Sequence, residues 1–323
     1  MTKYIIRRLL ISIPVLFAIV LATFLLIQAL PGGPFDAVGE RAMPEQMREL
    51  LENRYGLNDP LYEQFFRYLG QLARFDLGPM FRLHSQDVND IVAQSFPVSI
   101  QLGLLAVMLG FGIGVPAGII AALKHNTAVD HVATFIAVLG VSIPNLVLGP
   151  VLILIFGVYL DWLPIAFWGS EPPFILGFLP KPTAEFWLHA VMPTISLGTG
   201  ISAGVARLTR AGLLEVLSED YIRTARAKGL KERIVIIIHA LKNSLIPVAT
   251  LLGPMLAAVL TGTIILEQIF ALNGLGRAYV GSVASREYFL LTGINLIYGI
   301  LLISGNLLVD IIYAWLDPRI RYD

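Results

Sequence analysis

The chain has no cysteine in 323 residues. Disulfides, thiolate metal centres and a cysteine nucleophile are thereby excluded, and the absence names no compartment. Charge is scarce as well: Asp, Glu, Lys and Arg make up 14% of the residues, and 23 acidic side chains cancel 23 basic ones. With zero net charge, no overall field favours nucleic acid or an acidic partner, so only the distribution of charge is informative. There is no H-E-x-x-H, and His84, His125, His131, His189 and His239 are scattered without ligand spacing. Nor is there a G-x-x-x-x-G-K-[ST]. A chain without that loop is not itself a P-loop ATPase.

What is present is mostly apolar, at 56% hydrophobic residues and a mean hydropathy of +0.74. Six runs carry no Asp, Glu, Lys or Arg: Leu9 to Leu30, Phe96 to Leu123, Val132 to Leu160, Trp187 to Ala206, Ser244 to Leu266 and Tyr288 to Val309. A bilayer's hydrocarbon core takes about 20 residues of helix, so the expectation is an all-α integral membrane protein with six transmembrane helices. The first run has 22 residues, against about 7 to 15 for the apolar part of a signal peptide. It therefore reads as a retained helix.

Fourteen cations fall on one side of this topology: Lys3, Arg7, Arg8, Lys124, eight between Arg207 and Lys242, and Arg319 and Arg321. The short loops opposite hold only Lys181, Arg277 and Arg286. The positive-inside rule places both termini in the cytoplasm. The expected organisation is a tail and first helix at 1–30, an outward helical region at 31–95, a core transmembrane domain at 96–313 containing a cytoplasmic loop at 207–243, and a cytoplasmic tail at 314–323.

Within the spans Gly110, Gly114 and Gly118 repeat every four residues, a small face that lets a neighbouring backbone approach. Pro116, Pro144, Pro150, Pro193, Pro247 and Pro254 interrupt the helices, which suggests a moving bundle around a path or, more simply, a static bundle with ordinary kinks. Gly200-Ile201-Ser202-Ala203-Gly204 fits the G-x-S-x-G pattern. That pattern needs a strand-turn-helix elbow. His189 lies thirteen residues away along the same run, about 20 Å on a helix. Helix packing explains the small residues better. The spans offer only neutral polar groups such as Gln101, Asn145, Asn295 and Asn306, with His189 near an end, so an ion-driven carrier is disfavoured. If the chain transports, its energy comes from a partner.

In the outward region Pro44 and Gly56 bracket one helix, and Asp59-Pro60 offers an N-cap and first position for another from Leu61 to Phe75. Leu61, Phe65, Phe66, Leu69 and Leu72 are expected on its apolar face. Trp162, Phe167, Trp168, Pro172, Pro173 and Phe174 in the second outward loop either supply part of the opposing surface or serve as interfacial anchors.

The stretch from Arg223 to Arg233 puts five cations and one glycine into the cytoplasmic loop. Ser218 is a candidate N-cap, Thr224, Ala225 and Ala227 are small enough for close contact, Gly229 suits a left-handed helix end, and a second helical stretch runs from Lys231 to Leu241. The cations either present a surface to a partner or hold the loop inside against anionic lipid.

This loop resembles the coupling motif of ABC-importer permeases, E-A-A, three residues, G, nine residues, I-x-L-P. Arg223-Thr224-Ala225 stands for E-A-A and His239-Ala240-Leu241-Lys242 for I-x-L-P, so Ala225, Gly229 and Leu241 match. The departures are similar to the peptide-importer branch, which reads close to Y-I-R-T-A-R-A-K-G-L followed by H-A-L-K. Arg7-Arg8-Leu9-Leu10, Ala29 to Phe35, Tyr55 to Leu61, Asp76-Leu77-Gly78-Pro79, Ser95 to Ser99, Ala271 to Gly276 and Asp317 to Tyr322 extend the resemblance along almost the whole chain, to the B-type permease subunit of bacterial oligopeptide importers. Asn273 stands where that family has proline.

The resemblance implies an ABC type I importer permease fold and a non-catalytic subunit. It implies pairing with a C-type permease, two cytoplasmic ATPases that use ATP and Mg, and an external peptide-binding protein. No cofactor or metal is expected on this chain. The implied coupling surface comprises Glu219, Asp220, Tyr221, Arg223, Thr224, Ala225, Arg226, Ala227, Lys228, Gly229, Leu230 and Leu241. Gln101, Asn145 and Asn295 are candidate path residues, and peptide selectivity is expected mainly in the binding protein. A dipeptide or nickel importer of the same superfamily is the alternative.

Overall fold

The computed structural model describes residues 2–29, 32–35, 44–81, 86–250, 252, 255 and 264–316. Its helices are α1 (Thr2–Ala29), α2 (Glu45–Tyr55), α3 (Leu61–Leu72), α4 (Val88–Leu123), α5 (Ala128–Ser142), α6 (Asn145–Tyr159), α7 (Ala184–Leu217), α8 (Asp220–Ala227), α9 (Glu232–Thr250), α10 (Ile264–Ile269), α11 (Leu275–Ser285) and α12 (Tyr288–Leu316). No β-sheet forms among the described residues.

Helices α1, α4, α9 and α12 are each long and apolar enough to cross a bilayer. The expected single span over Val132 to Leu160 is instead broken: α5 and α6 meet at 97°. Pro144 causes the break, because its ring forbids Ile143 the helical conformation and leaves it extended at ψ 114. Helix α7, 34 residues long, is less apolar than the other spans and makes its most extensive contact with α4. The span expected from Ser244 starts earlier, since the helix already begins at Glu232. Nearly half of that expected run lies outside the described residues, as do Pro254, His84, Arg319 and Arg321.

The α4–α7 contact uses the glycine stripe. A Cβ on Gly114 would stand 2.6 Å from the Ser202 carbonyl oxygen, and one on Gly118 2.5 Å from that of Ala206. Backbones meet there, which only glycine permits. Ser202 is thus part of a packed helix face. At the basic end, buried Asp130 in the first turn of α5 accepts from Arg210 of α7 at both oxygens, 2.6 and 2.7 Å, with His125 Nδ1 3.3 Å away. A bidentate pair of this kind fixes one helix against the other by geometry. Helices α1 and α12 also meet at that end, where the Tyr4 hydroxyl donates to Asp310 at 2.7 Å.

Helix α3 departs from the expected face and cap. Pro60 and not Asp59 is the N-cap of α3. Phe65 and Tyr68 are its buried residues and cluster with Val20 of α1, and Leu21 and Phe24 of α1, Leu69 and Leu72 of α3 and Phe289 of α12 pack around them. Leu61 and Phe66, expected on that face, are exposed. Helical register decides this: Tyr68 lies three residues from Phe65 and takes the place assigned to Phe66. The aromatic and proline-rich stretch Trp162–Phe174 does not supply the surface that α3 packs against. Trp168 and Phe174 are buried in the core of α4 and α7, whereas Trp162 and Phe167 stay exposed and fit interfacial anchors.

Candidate coupling site and translocation path

The stretch 207–243, expected as a loop, is better described as helix ends. Helix α7 continues to Leu217, and Ser218 caps its C-terminus rather than starting α8. Glu219 takes the N-cap position of α8 with extended backbone, and Asp220 supplies an acidic first turn that suits the helix dipole. Gly229 adopts φ +74 and ends the element as expected.

Helix α8 has two faces. Ile222 and Ala225 are buried against Ala122 of α4, Leu213 of α7, and Val235 and Ala240 of α9. Ala225 is therefore a packing residue of this subunit and not a surface open to a partner, which corrects one sequence expectation. The physical reason is the helical period: three residues after Ile222, Ala225 returns to the same face. Arg223, Thr224, Ala227, Lys228, Gly229 and Leu230 are exposed, Arg223 with 72% of its side chain accessible. No heavy atom lies within 4 Å of where a Gly229 Cβ would stand.

Two contacts hold α8 on α9. Arg226 donates to both oxygens of Glu232, at 2.7 and 3.1 Å, closing the turn that contains Gly229. The Tyr221 hydroxyl accepts from Asn243 Nδ2 at 2.9 Å and donates to the His239 carbonyl at 3.5 Å. Leu241 is half-buried on α9 beside them. The Asp220–Arg223 pair, 3.3 Å and highly exposed, adds little in water. The exposed edge of α8 is thus joined to α4, α7 and α9 through packed side chains rather than through a flexible tether.

The three candidate path residues are not brought together. Gln101 is buried, with Nε2 donating to the Phe178 carbonyl and Oε1 accepting from Trp168 Nε1, both at 2.6 Å. Its amide is committed to pinning the second outward loop on α4. Asn295 donates to Thr23 Oγ1 at 3.4 Å, between α12 and α1. Asn145, half-buried at the break between α5 and α6, has its side-chain oxygen toward Gly200 of α7 and its carbonyl accepting from Ser196 Oγ at 3.3 Å.

Sequence patterning passes over Glu267, one residue beyond a charge-free run. It is fully buried, accepting from Ser99 Oγ at 2.6 Å and from the Arg277 backbone N–H at 3.0 Å. Ser99 in turn accepts from the Leu275 N–H at 2.8 Å, so the pair satisfies donors at the start of α11. The only sequence signal was an acidic residue between an apolar run and the glycine-containing turn 271–276. In that turn Asn273 Oδ1 accepts from Arg277 Nη1 at 3.1 Å, a contact the family proline does not offer.

Comparison with known proteins completes the picture. Residues 114–322 match the family described as binding-protein-dependent transport system inner membrane component, and residues 1–103 match its N-terminal counterpart. The chain belongs to this family. The membrane component is 41% identical over 322 residues to the oligopeptide transport system permease protein OppB of Haemophilus influenzae, and 42% identical over 322 residues to OppB of Salmonella typhimurium, covering all of each chain. It is also 40% identical over 321 residues to the dipeptide transport system permease protein DppB of Bacillus subtilis, covering 99% of this chain and 98% of the relative. An inward-facing structure of the MetNI methionine ABC transporter aligns with a TM-score of 0.54 at 16% identity, over 68% of this membrane component and 93% of that chain. That likeness speaks to the fold, an ABC type I importer permease.

An expected result separates the two faces of α8. Ala225→Leu overpacks a filled seat and lowers the melting temperature of the membrane component, costing about 1 to 3 kcal/mol, whereas Ala227→Leu on the exposed edge leaves melting unchanged. Equal melting of both variants would show that Ala225 is not seated as described.

Proposed function

We propose that this chain is the B-type permease subunit of an ATP-driven oligopeptide importer, forming half of the translocation path and coupling partner ATPases to alternating access. The observation that carries the reading is α8: a short helix at the basic end, seated on three spans by one face and open on the other. The full-length similarity to oligopeptide permeases supports it. The partners are a homologous C-type permease, two ATPases that use ATP and Mg at their own sites, and an external binding protein. Both termini face the cytoplasm in this reading, supported by the cation distribution and by the Tyr4–Asp310 contact at one end.

ATP binding closes the ATPases around the exposed edge of α8, and Arg223, Thr224, Ala227, Lys228 and Leu230 carry the contact. Displacement then passes through Ile222 and Ala225 into α4, α7 and α9. Nucleotide and loaded binding protein both favour the same permease state, so each raises the affinity for the other. Asn145, whose side-chain oxygen faces Gly200 of α7 at the break between α5 and α6, is the path candidate. A dipeptide importer is the second reading, supported by 40% identity to DppB against 41% to OppB.

The deciding experiment is purification of the chain in mild detergent with whatever copurifies, followed by ATPase assays with and without binding protein and peptide. Copurifying ATPases whose rate rises with loaded binding protein are expected. A chain that purifies with no ATPase sinks the proposal.

A further inference from the structure

A cavity of about 340 Å³ lies where the outward helices meet the ends of two spans. Its floor is Phe24 of α1 and Phe289 of α12, and its walls include Tyr55 of α2 and Gln71 of α3. The volume and largely apolar lining suit one organic ligand.

Three observations say what kind. The first is charge: Arg54 and Arg67 line the cavity, and no carboxylate does. Arg67 already pairs with Asp59 outside the lining, while Arg54 stands exposed at the end of α2. The second is depth. Gln28, the residue before the end of α1, and Tyr288, the first of α12, both border the cavity, so it opens at the polar boundary of those spans. The third is exposed apolar surface elsewhere on α1 and α3, as expected where a chain meets hydrocarbon. Leu25 and Leu26 on the same end of α1 are 52% and 70% exposed, and Tyr62 and Phe66 of α3 are 63% and 66% exposed. An apolar chamber between helices whose outer faces are apolar, with cations at headgroup depth, is complementary to an amphiphile with an anionic head.

We propose that this cavity holds an acyl chain of an anionic phospholipid from the adjacent leaflet, its phosphate against Arg54 and Arg67. The lipid would fill the gap between the outward helices and α1 and α12. It rests on the membrane location of the chain and not on which substrate is transported, so a failed transport assay leaves it standing.

The test is native mass spectrometry of the full chain released from nanodiscs of phosphatidylcholine doped with phosphatidylglycerol. Wild type retains phosphatidylglycerol in preference to phosphatidylcholine. Arg54→Gln, which removes a cation outside the helix contacts, lowers retained phosphatidylglycerol about fivefold, and Arg54→Gln with Arg67→Gln about thirtyfold, as two basic groups beside anionic lipid contribute. Gln71→Trp, which fills the chamber and keeps both cations, also abolishes retention, and this arm does not depend on the Arg67–Asp59 pair. Inorganic phosphate in excess leaves the retained lipid in place. Equal retention of both lipids, retention unchanged by Arg54→Gln and Gln71→Trp, or displacement by phosphate or by soluble peptide would each overturn the proposal.

Discussion

Gly229→Val is expected to cut peptide uptake about tenfold while the assembled complex is recovered in wild-type amount. At φ +74 the residue occupies left-handed space, where a side chain with a branched Cβ is disfavoured by about 1 to 2 kcal/mol, enough to shift a loop population about tenfold. The strain falls on an exposed turn with no heavy atom within 4 Å of the new Cβ, so the cores of α4, α7 and α9 are left alone. What changes is the direction in which Lys228 and Leu230 leave α8. Gly229→Asn is the control, because asparagine tolerates the left-handed region and should retain most uptake. The readouts are uptake into proteoliposomes and ATP hydrolysis by the same preparation. Hydrolysis that persists while uptake falls is the uncoupled outcome; normal uptake by the valine variant sinks the coupling role of this turn.

Glu267→Ala is expected to be the most damaging single change outside α8, destabilising the chain by about 3 kcal/mol. The carboxyl group is enclosed, and its loss strands the Ser99 hydroxyl and the Arg277 N–H without the acceptor they share. Glu267→Gln keeps one acceptor oxygen but turns an amide donor toward a second donor, so it should fall between alanine and wild type. Thermal unfolding followed by size exclusion would show this order. A Glu267→Ala chain that melts with wild type would mean that α11 is held by something other than this network.

Much of the architecture was legible along the sequence because it depends on one-dimensional properties. Charge-free runs mark membrane crossings whatever packs beside them, and Gly110, Gly114 and Gly118 mark a close helix contact because their spacing alone puts them on one face. Gly56 and Gly229 ended helices as expected, both with positive φ. Pro144 was legible as an interruption, yet the 97° bend it produces was not, since the angle depends on what α6 packs against. Helix α3 illustrates the opposite case. Its apolar residues exceed what one face can bury, and α1 with Phe289 selects Phe65 and Tyr68 while leaving Phe66 in the open.

The sequence by itself determined that this is a helical membrane protein with a basic, glycine-ended stretch between two apolar segments, because hydropathy, charge spacing and turn chemistry are carried by local residues. Only the tertiary structure decided that Ala225 faces inward, that Gln101 is spent on Trp168 and Phe178, and that Glu267 is buried with Ser99 168 positions earlier. Each of those depends on which element stands opposite, and a polar group out of water takes its role from the partner that satisfies it.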